Sequence, residues 1–240
     1  MHLSSIFLAF TAAFSLAAAT PVATPLPKPG MSLKEERSPL VWNHPGVMLD
    51  RLKLDYIKAA VALHQQPWKG AYDAMLAHGL ASPTRQPTPF ATVECGPTST
   101  PNIGCTEERQ DALAAYANAV AWYISGTASF AQKAIDYMNA WAATLQAHTN
   151  SNAPLQTGWS AASWARAAEI IRHTSNLWKP ADVAAFENLL RTVYLPKLIV
   201  GSNSNGNWEL GKQMVYFLVL VFKSEATYGS QEIFLTYTSV

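Results

Sequence analysis

The stretch "EERQDALAAYANAVAWYISG", residues Glu107 to Gly126, decides the fold class. Leu113, Tyr116, Ala117, Val120 and Ile124 recur at helical spacing, which gives one apolar face to a continuous helix. Thr106 stands where an N-cap is expected. Glu107 and Glu108 place negative charge in the first turn, where the helix dipole favours it, and Gly126 supplies a stop. The same period continues downstream. Phe130, Ala134, Met138, Trp141 and Leu145 share one face of the next segment, and Ala161, Trp164, Ala165, Ala168 and Ile171 share one face of "GWSAASWARAAEIIRHT". A fourth helix is expected to open at Pro180, a favoured first-turn residue. It runs through Val183, Phe186, Leu190 and Val193 until Pro196 ends it.

From Gly46 onward the patterns are helical and no stretch reads as a strand. Helices of similar length alternate with loops, so neighbours are expected to pair as antiparallel hairpins, and alanine-rich faces let them approach closely. No exact repeat supports a regular solenoid. The expected architecture is all-α, a layer or toroid of helical hairpins with its chemistry on the connecting loops.

The chain has 240 residues, 49% of them hydrophobic and 14% charged, with a formal net charge of +1. That length buries a sizeable core as one large domain or two small ones. The near-zero charge lacks the basic footprint of a nucleic-acid binder, so no nucleic-acid partner is expected. Eight tryptophans and nine tyrosines supply candidate platforms for flat or sugar-like ligands, although most will be core.

Residues 1–19 of "MHLSSIFLAFTAAFSLAAAT" combine a short polar start, an apolar run from Ile6 and small residues at Ala17 and Ala19. They read as a secretory signal cleaved near Ala19, with only His2 in the usual place of Lys or Arg. Residues 20–39, "TPVATPLPKPGMSLKEERSP", read as a proline-rich linker, and the ordered domain is expected over 40–240. Elsewhere the longest apolar run, Met214 to Phe222, falls far below the roughly 20 residues of a membrane-spanning helix, so no membrane anchor is expected. In an exported chain Cys95 and Cys105 favour a disulfide closing the loop "VECGPTSTPNIGC", and two thiols are too few for a structural zinc site. The alternative is two unpaired thiols.

Motifs for metal, nucleophile and phosphate chemistry are absent from the sequence, and neither a metal nor an organic cofactor is expected. His44 precedes a proline at the domain edge. His173 follows Arg172 at a helix end, where a cation complements the dipole, so a structural role is favoured over a catalytic one.

The unusual motif is "GSNSNGNWELG", Gly201 to Gly211. Asn205 and Asn207 stand just before a helix expected near Trp208, so one of them can serve as its N-cap. A cap accounts for one amide only. With the neighbouring indole, and with "LQTGWSAASWAR" taken as a tryptophan-rich loop opposite, the cluster suggests a groove of indole faces and neutral hydrogen-bond donors suited to a polysaccharide. Trp159, at the helix start, is the better stacking candidate and Trp164 the better core candidate. Arg166 either contacts a substrate carboxylate or pairs with Glu169 three residues on.

"HPGVMLDRLK", "ECGPTSTPNIGCTEERQDALAAYANAVAWYISGTASFAQKAIDYMNAWAATL", "LQTGWSAASWARAAEIIRHT" and "GSNSNGNWELG" resemble successive blocks of the alginate-lyase-like family of secreted polysaccharide lyases, from about Trp42 to about Phe222. The resemblance implies an α/α toroid and β-elimination at the uronic-acid residues of an acidic polysaccharide. It implies that Asn207 contacts the uronate carboxylate, with Asn205 in support. Trp208 stands where some relatives carry a histidine base, and indole cannot accept a proton, so proton abstraction must fall to another residue.

Against the family pattern, the chain after "VFKSEATYG" reads "SQEIFLTYTSV", without the later acid/base block. The expectation is a toroid incomplete at its C-terminal side, with Met214 to Phe222 left as an apolar surface prone to self-association. Three functions are therefore carried forward. They are an active uronate lyase of the alginate or glucuronan type, an inactive fragment that keeps a glycan-binding groove, and a small secreted helical protein whose Trp and Asn loops serve folding alone.

Overall fold

The computed structural model describes residues 43–46, 48–97, 102–199 and 206, all within the compact unit Leu40–Val240. The expectations for the signal, the linker, Asn205, Asn207, Trp208 and Met214 to Phe222 lie outside the described residues.

The described part is mostly helical, as the sequence implies. Helices α1 (Arg51–Ala62) and α2 (Trp68–Ala77) lead through a short turn to strand β1 (Thr92–Glu94). Then come α3 (Cys105–Ser125), α4 (Ala128–Thr144), strand β2 (Ala147–Thr149), α5 (Ala153–Thr174), α6 (Pro180–Leu189) and α7 (Leu195–Ile199). Asp50 caps α1, its carboxylate accepting from the Lys53 N–H.

α3 and α4 are joined by Gly126 and Thr127 alone, so they form the expected antiparallel hairpin. Gly126 stops α3 with φ 70°, a left-handed conformation that glycine adopts without steric cost. α5 then returns parallel to α3. Ser160 Oγ donates to Glu108 near one end, and Trp122 Nε1 donates to Thr174 Oγ1 near the other.

The core lies between these three helices and α6. Ala112, Ala115 and Ala119 of α3 and Ala161, Ala165 and Ala168 of α5 are buried, and small side chains there permit close backbone approach. Trp141, Trp164 and Phe186 fill the remaining space, with centroid distances of 6.2 Å for the tryptophan pair and 6.0 Å between Trp164 and Phe186. Asp111 is also buried. It accepts from Trp141 Nε1 at 2.7 Å and from the Thr88 N–H at 2.7 Å, and it pairs with Arg85, which ties the extended segment before β1 to α3.

Four local expectations are corrected. α3 begins at Cys105 with Gly104 at φ 69° as its cap, so Thr106 lies inside the first turn. Its buried face is not the one marked by the larger side chains. Leu113 is 47% exposed, whereas the alanines together with Glu108, Asp111 and Asn118 are buried. A helix packed by several neighbours buries its smallest side chains where backbones meet and its polar ones where partners exist. Pro196 does not end the fourth helix. A π turn over Leu190–Tyr194, in which the Leu195 N–H reaches Leu190 O, resets the ladder and lets α7 carry the proline in its first turn. Finally, β1 and β2 are real strands, paired in parallel with Thr92 opposite Ala147 and Glu94 opposite Thr149. At three residues each they are too short to show a period of two.

Candidate functional site

The strand pair and the starts of α3 and α5 meet at one end of the helical layer. Cys95, just after β1, is bridged to Cys105, the first residue of α3, with their Cα atoms 5.9 Å apart. The expected disulfide is therefore present. It draws Gly96 close to the turn before α5, where a side chain on Gly96 would lie 2.7 Å from Ser151 Oγ and 2.8 Å from Asn150 Oδ1. The Asn152 N–H donates to Cys95 O at 2.9 Å and locks the same corner.

This corner holds a cleft of about 290 Å³ lined by Gly96, Asn102, Thr106, Arg109, Asn152 and Trp159, with Gln156 among its remaining residues. Asn152 occupies the cap position of α5 but makes no side-chain capping bond. Trp159 is 44% exposed, and the Arg109 guanidinium lies 5.5 Å over its ring. The stretch expected to be a loop, "LQTGWSAASWAR", is thus a helical wall, because α5 opens at Ala153 with Pro154 in its first turn. Trp164 is fully buried, as the sequence suggested for the deeper of the two indoles.

Behind the cleft is a buried polar network. Glu108 accepts from Gln156 Nε2 at 2.6 Å and from Ser160 Oγ at 2.9 Å, and it bonds His148 Nε2 at 2.8 Å and the Tyr194 hydroxyl. Burial first, and the Glu108 carboxylate second, push the Tyr194 phenol well above its ordinary range. Gln156 Nε2 also donates to Cys105 O at 2.9 Å. Both amide donors' direction is thereby set, and Gln156 Oε1 faces Arg109, whose Nη1 donates to it at 3.3 Å.

A second pair repeats the first in reverse. Seven residues along α3 and α5, Tyr116 and Arg166 meet with the guanidinium 5.8 Å over the phenol ring. Seven residues are two helical turns, a rise of about 10 Å, so both pairs stand on the same side of α3 and α5, where Tyr116 and Arg166 are half-buried. Burial pushes the Tyr116 phenol up, with Arg166 working in the opposite direction.

Of the sequence-predicted residues, Trp159 lines the cleft and Arg166 stands two turns away on the same helix face. The proposed pairing of Arg166 with Glu169 does not form. Arg166 Nη2 contacts Met48 Sδ at 2.9 Å, and Glu169, buried, turns instead to His44 Nδ1 at 2.9 Å. Asn205, Asn207 and Trp208 lie outside the described residues. Gly206 between the two asparagines is exposed with φ 74°. Sequence reasoning missed Arg109, Tyr116 and Gln156. The signal was the matched seven-residue spacing of a cation and an aromatic ring on two helices.

Among the described residues no helix is long and apolar enough to cross a membrane. No curated protein and no solved structure matches the chain. Residues 98–209 match the family model for alginate lyase. That span contains α3, α4 and α5 with both cation–aromatic pairs. Over residues 98–209, therefore, this chain is similar to the alginate lyase family.

Proposed function

We propose that this chain is a secreted polysaccharide lyase that cleaves a uronate-containing glycan of the alginate or glucuronan type by β-elimination. The observation that carries the reading is the shared side of α3 and α5, where Arg109 with Trp159 and Arg166 with Tyr116 repeat two turns apart inside the matched span. Ring faces stack against the apolar faces of sugars, and guanidinium groups attract carboxylates. Alternating the two suits a chain of uronic acids. The export signal over residues 1–19 and the closure of the helical hairpins into an α/α toroid belong to the same proposal.

In the reaction a base other than Trp208 takes the proton at C5 of a uronate, and the electron pair left behind forms the C4–C5 double bond as the glycosidic oxygen leaves C4 and takes up a proton. Negative charge builds on the adjacent carboxylate before departure. A fixed neutral donor aimed at that carboxylate lowers the barrier because the charge is larger in the transition state than in the ground state. Asn207 is assigned this role, with Asn205 and Trp208 beside it in the substrate groove. Trp159 and Arg166 bind flanking sugars. Incubation with alginate and with glucuronan, followed by the ultraviolet absorbance of the unsaturated uronate, tests the proposal. Glycan binding without any rise in absorbance would identify a binding fragment instead of a lyase.

A further inference from the structure

We infer that His44, Glu169 and His173 form a binding site for one divalent transition-metal ion of the zinc type, a site separate from the cleft at Trp159. Glu169 and His173 stand one turn apart on α5 and project to the same side. His44 arrives from the segment preceding α1. The three ligating atoms all lie within 4.8 Å of one another.

The separations suit a small ion. His44 Nδ1 is 2.9 Å from Glu169 Oε2, and His173 Nε2 is 3.6 Å from Glu169 Oε1. Zinc holds imidazole nitrogen and carboxylate oxygen at roughly 2.0–2.2 Å, so tetrahedral ligand atoms sit about 3.3 Å apart. The two observed distances fall on either side of that value. Two imidazoles with one carboxylate is also a ligand set that zinc uses when its fourth position is left for water or substrate.

The carboxylate itself is asymmetric. Oε2 bonds His44 and accepts from the Gly46 N–H at 3.1 Å, which fixes its direction. Oε1 is buried and has no hydrogen-bond partner among the described residues. His173 Nε2 stands 3.6 Å from it, beyond hydrogen-bond distance, and a cation between the two supplies the contact that the buried oxygen lacks. The neighbouring guanidinium groups are directed elsewhere: Arg51 donates to His173 O at 3.2 Å, and Arg166 contacts Met48 Sδ.

The two imidazole rings stack, with centroids 4.2 Å apart and planes at 15°. Ligation turns the His173 ring about χ2, a broad and soft torsion, until both nitrogen lone pairs converge. An ion so held ties the segment around His44 to the C-terminal part of α5, and binding of this kind stabilises the folded chain by linkage.

The test is titration of the full chain, first treated with a chelator, with Co²⁺ and with Zn²⁺. One Co²⁺ per chain, giving a visible absorption band that Zn²⁺ abolishes, is the expected result, together with a thermal midpoint that rises with Zn²⁺. His44→Ala, outside the helices, and His173→Gln, which keeps the helix, should each weaken affinity at least about tenfold. Circular dichroism verifies the fold of each variant, and either folded variant alone decides. Absence of the Co²⁺ band, or an unchanged band in a folded variant, overturns the site. Neither outcome involves polysaccharide cleavage, so it leaves the lyase proposal to its own test.

Discussion

Gln156 Nε2 donates to Glu108 Oε2 at 2.6 Å across the interface of α3 and α5, and this bond decides which way the amide meets the cleft. With its donors engaged by Glu108 and Cys105 O, the amide presents oxygen to Arg109 and holds that guanidinium over Trp159. A buried carboxylate therefore positions a surface cation through one intermediary. Glu108→Ala removes the acceptor shared by Gln156, Ser160, His148 and Tyr194. Loss of one member of a buried charged network costs about 3–5 kcal/mol. Urea denaturation should show a correspondingly lower midpoint.

The two tryptophans of α5 should separate binding from stability. Trp159 is 44% exposed, so Trp159→Ala should cost clearly less unfolding free energy than truncation of a fully buried tryptophan. Its loss of stacking should weaken glycan affinity about tenfold, equivalent to roughly 1.4 kcal/mol. Trp164 is fully buried against Trp141 and Phe186, and Trp164→Ala should cost about 3–5 kcal/mol. Paired binding isotherms and denaturation curves check both halves.

The disulfide rims the cleft and also restrains the unfolded chain. Replacing Cys95 and Cys105 by serine should lower stability by about 2–4 kcal/mol, the usual range for such a cross-link. Thermal unfolding of the double variant measures this. Because Asn152 is bonded to the Cys95 carbonyl, glycan affinity should fall in the same variant.

Acid sensitivity should trace in part to Glu169. Burial alone would raise its pKa, but His173 and His44 beside it outweigh burial and hold the carboxyl below its ordinary value. A group whose folded pKa is depressed contributes stability that is complete above the unfolded carboxylate pKa, roughly 4.3, and is lost as pH falls through the folded value. Stability should therefore decline in that acid window. Glu169→Gln, which cannot ionise, should flatten the decline when chemical denaturation is repeated across pH.

The helices were legible because α4 and α5 bury the faces their periodicity marks: Met138 and Trp141 on one, Trp164 and Ile171 on the other, are all fully buried. α3 was legible as a helix but not in its buried face. Its alanines and buried carboxylates become meaningful only once α4, α5 and the Arg85 segment surround them. Three-residue strands carry no period, and Pro196 looked terminal because a π turn leaves no trace in composition. The site was partly legible. Trp159 stood out as an indole at a helix start, whereas its partner Arg109 lies on a different helix. His44 and Glu169 are 125 residues apart, and only the fold brings them within hydrogen-bond reach.

Elimination leaves a chromophore that hydrolysis does not, so the most direct measurement is the ultraviolet absorbance of products released from alginate or glucuronan by the intact chain and by Asn207→Ala. The account predicts a steady rise for the intact chain and a loss of about 10²–10³-fold in rate for the variant, the usual cost of removing one transition-state donor. Equal rates for the two proteins, or no unsaturated product from any uronate polysaccharide, would contradict it.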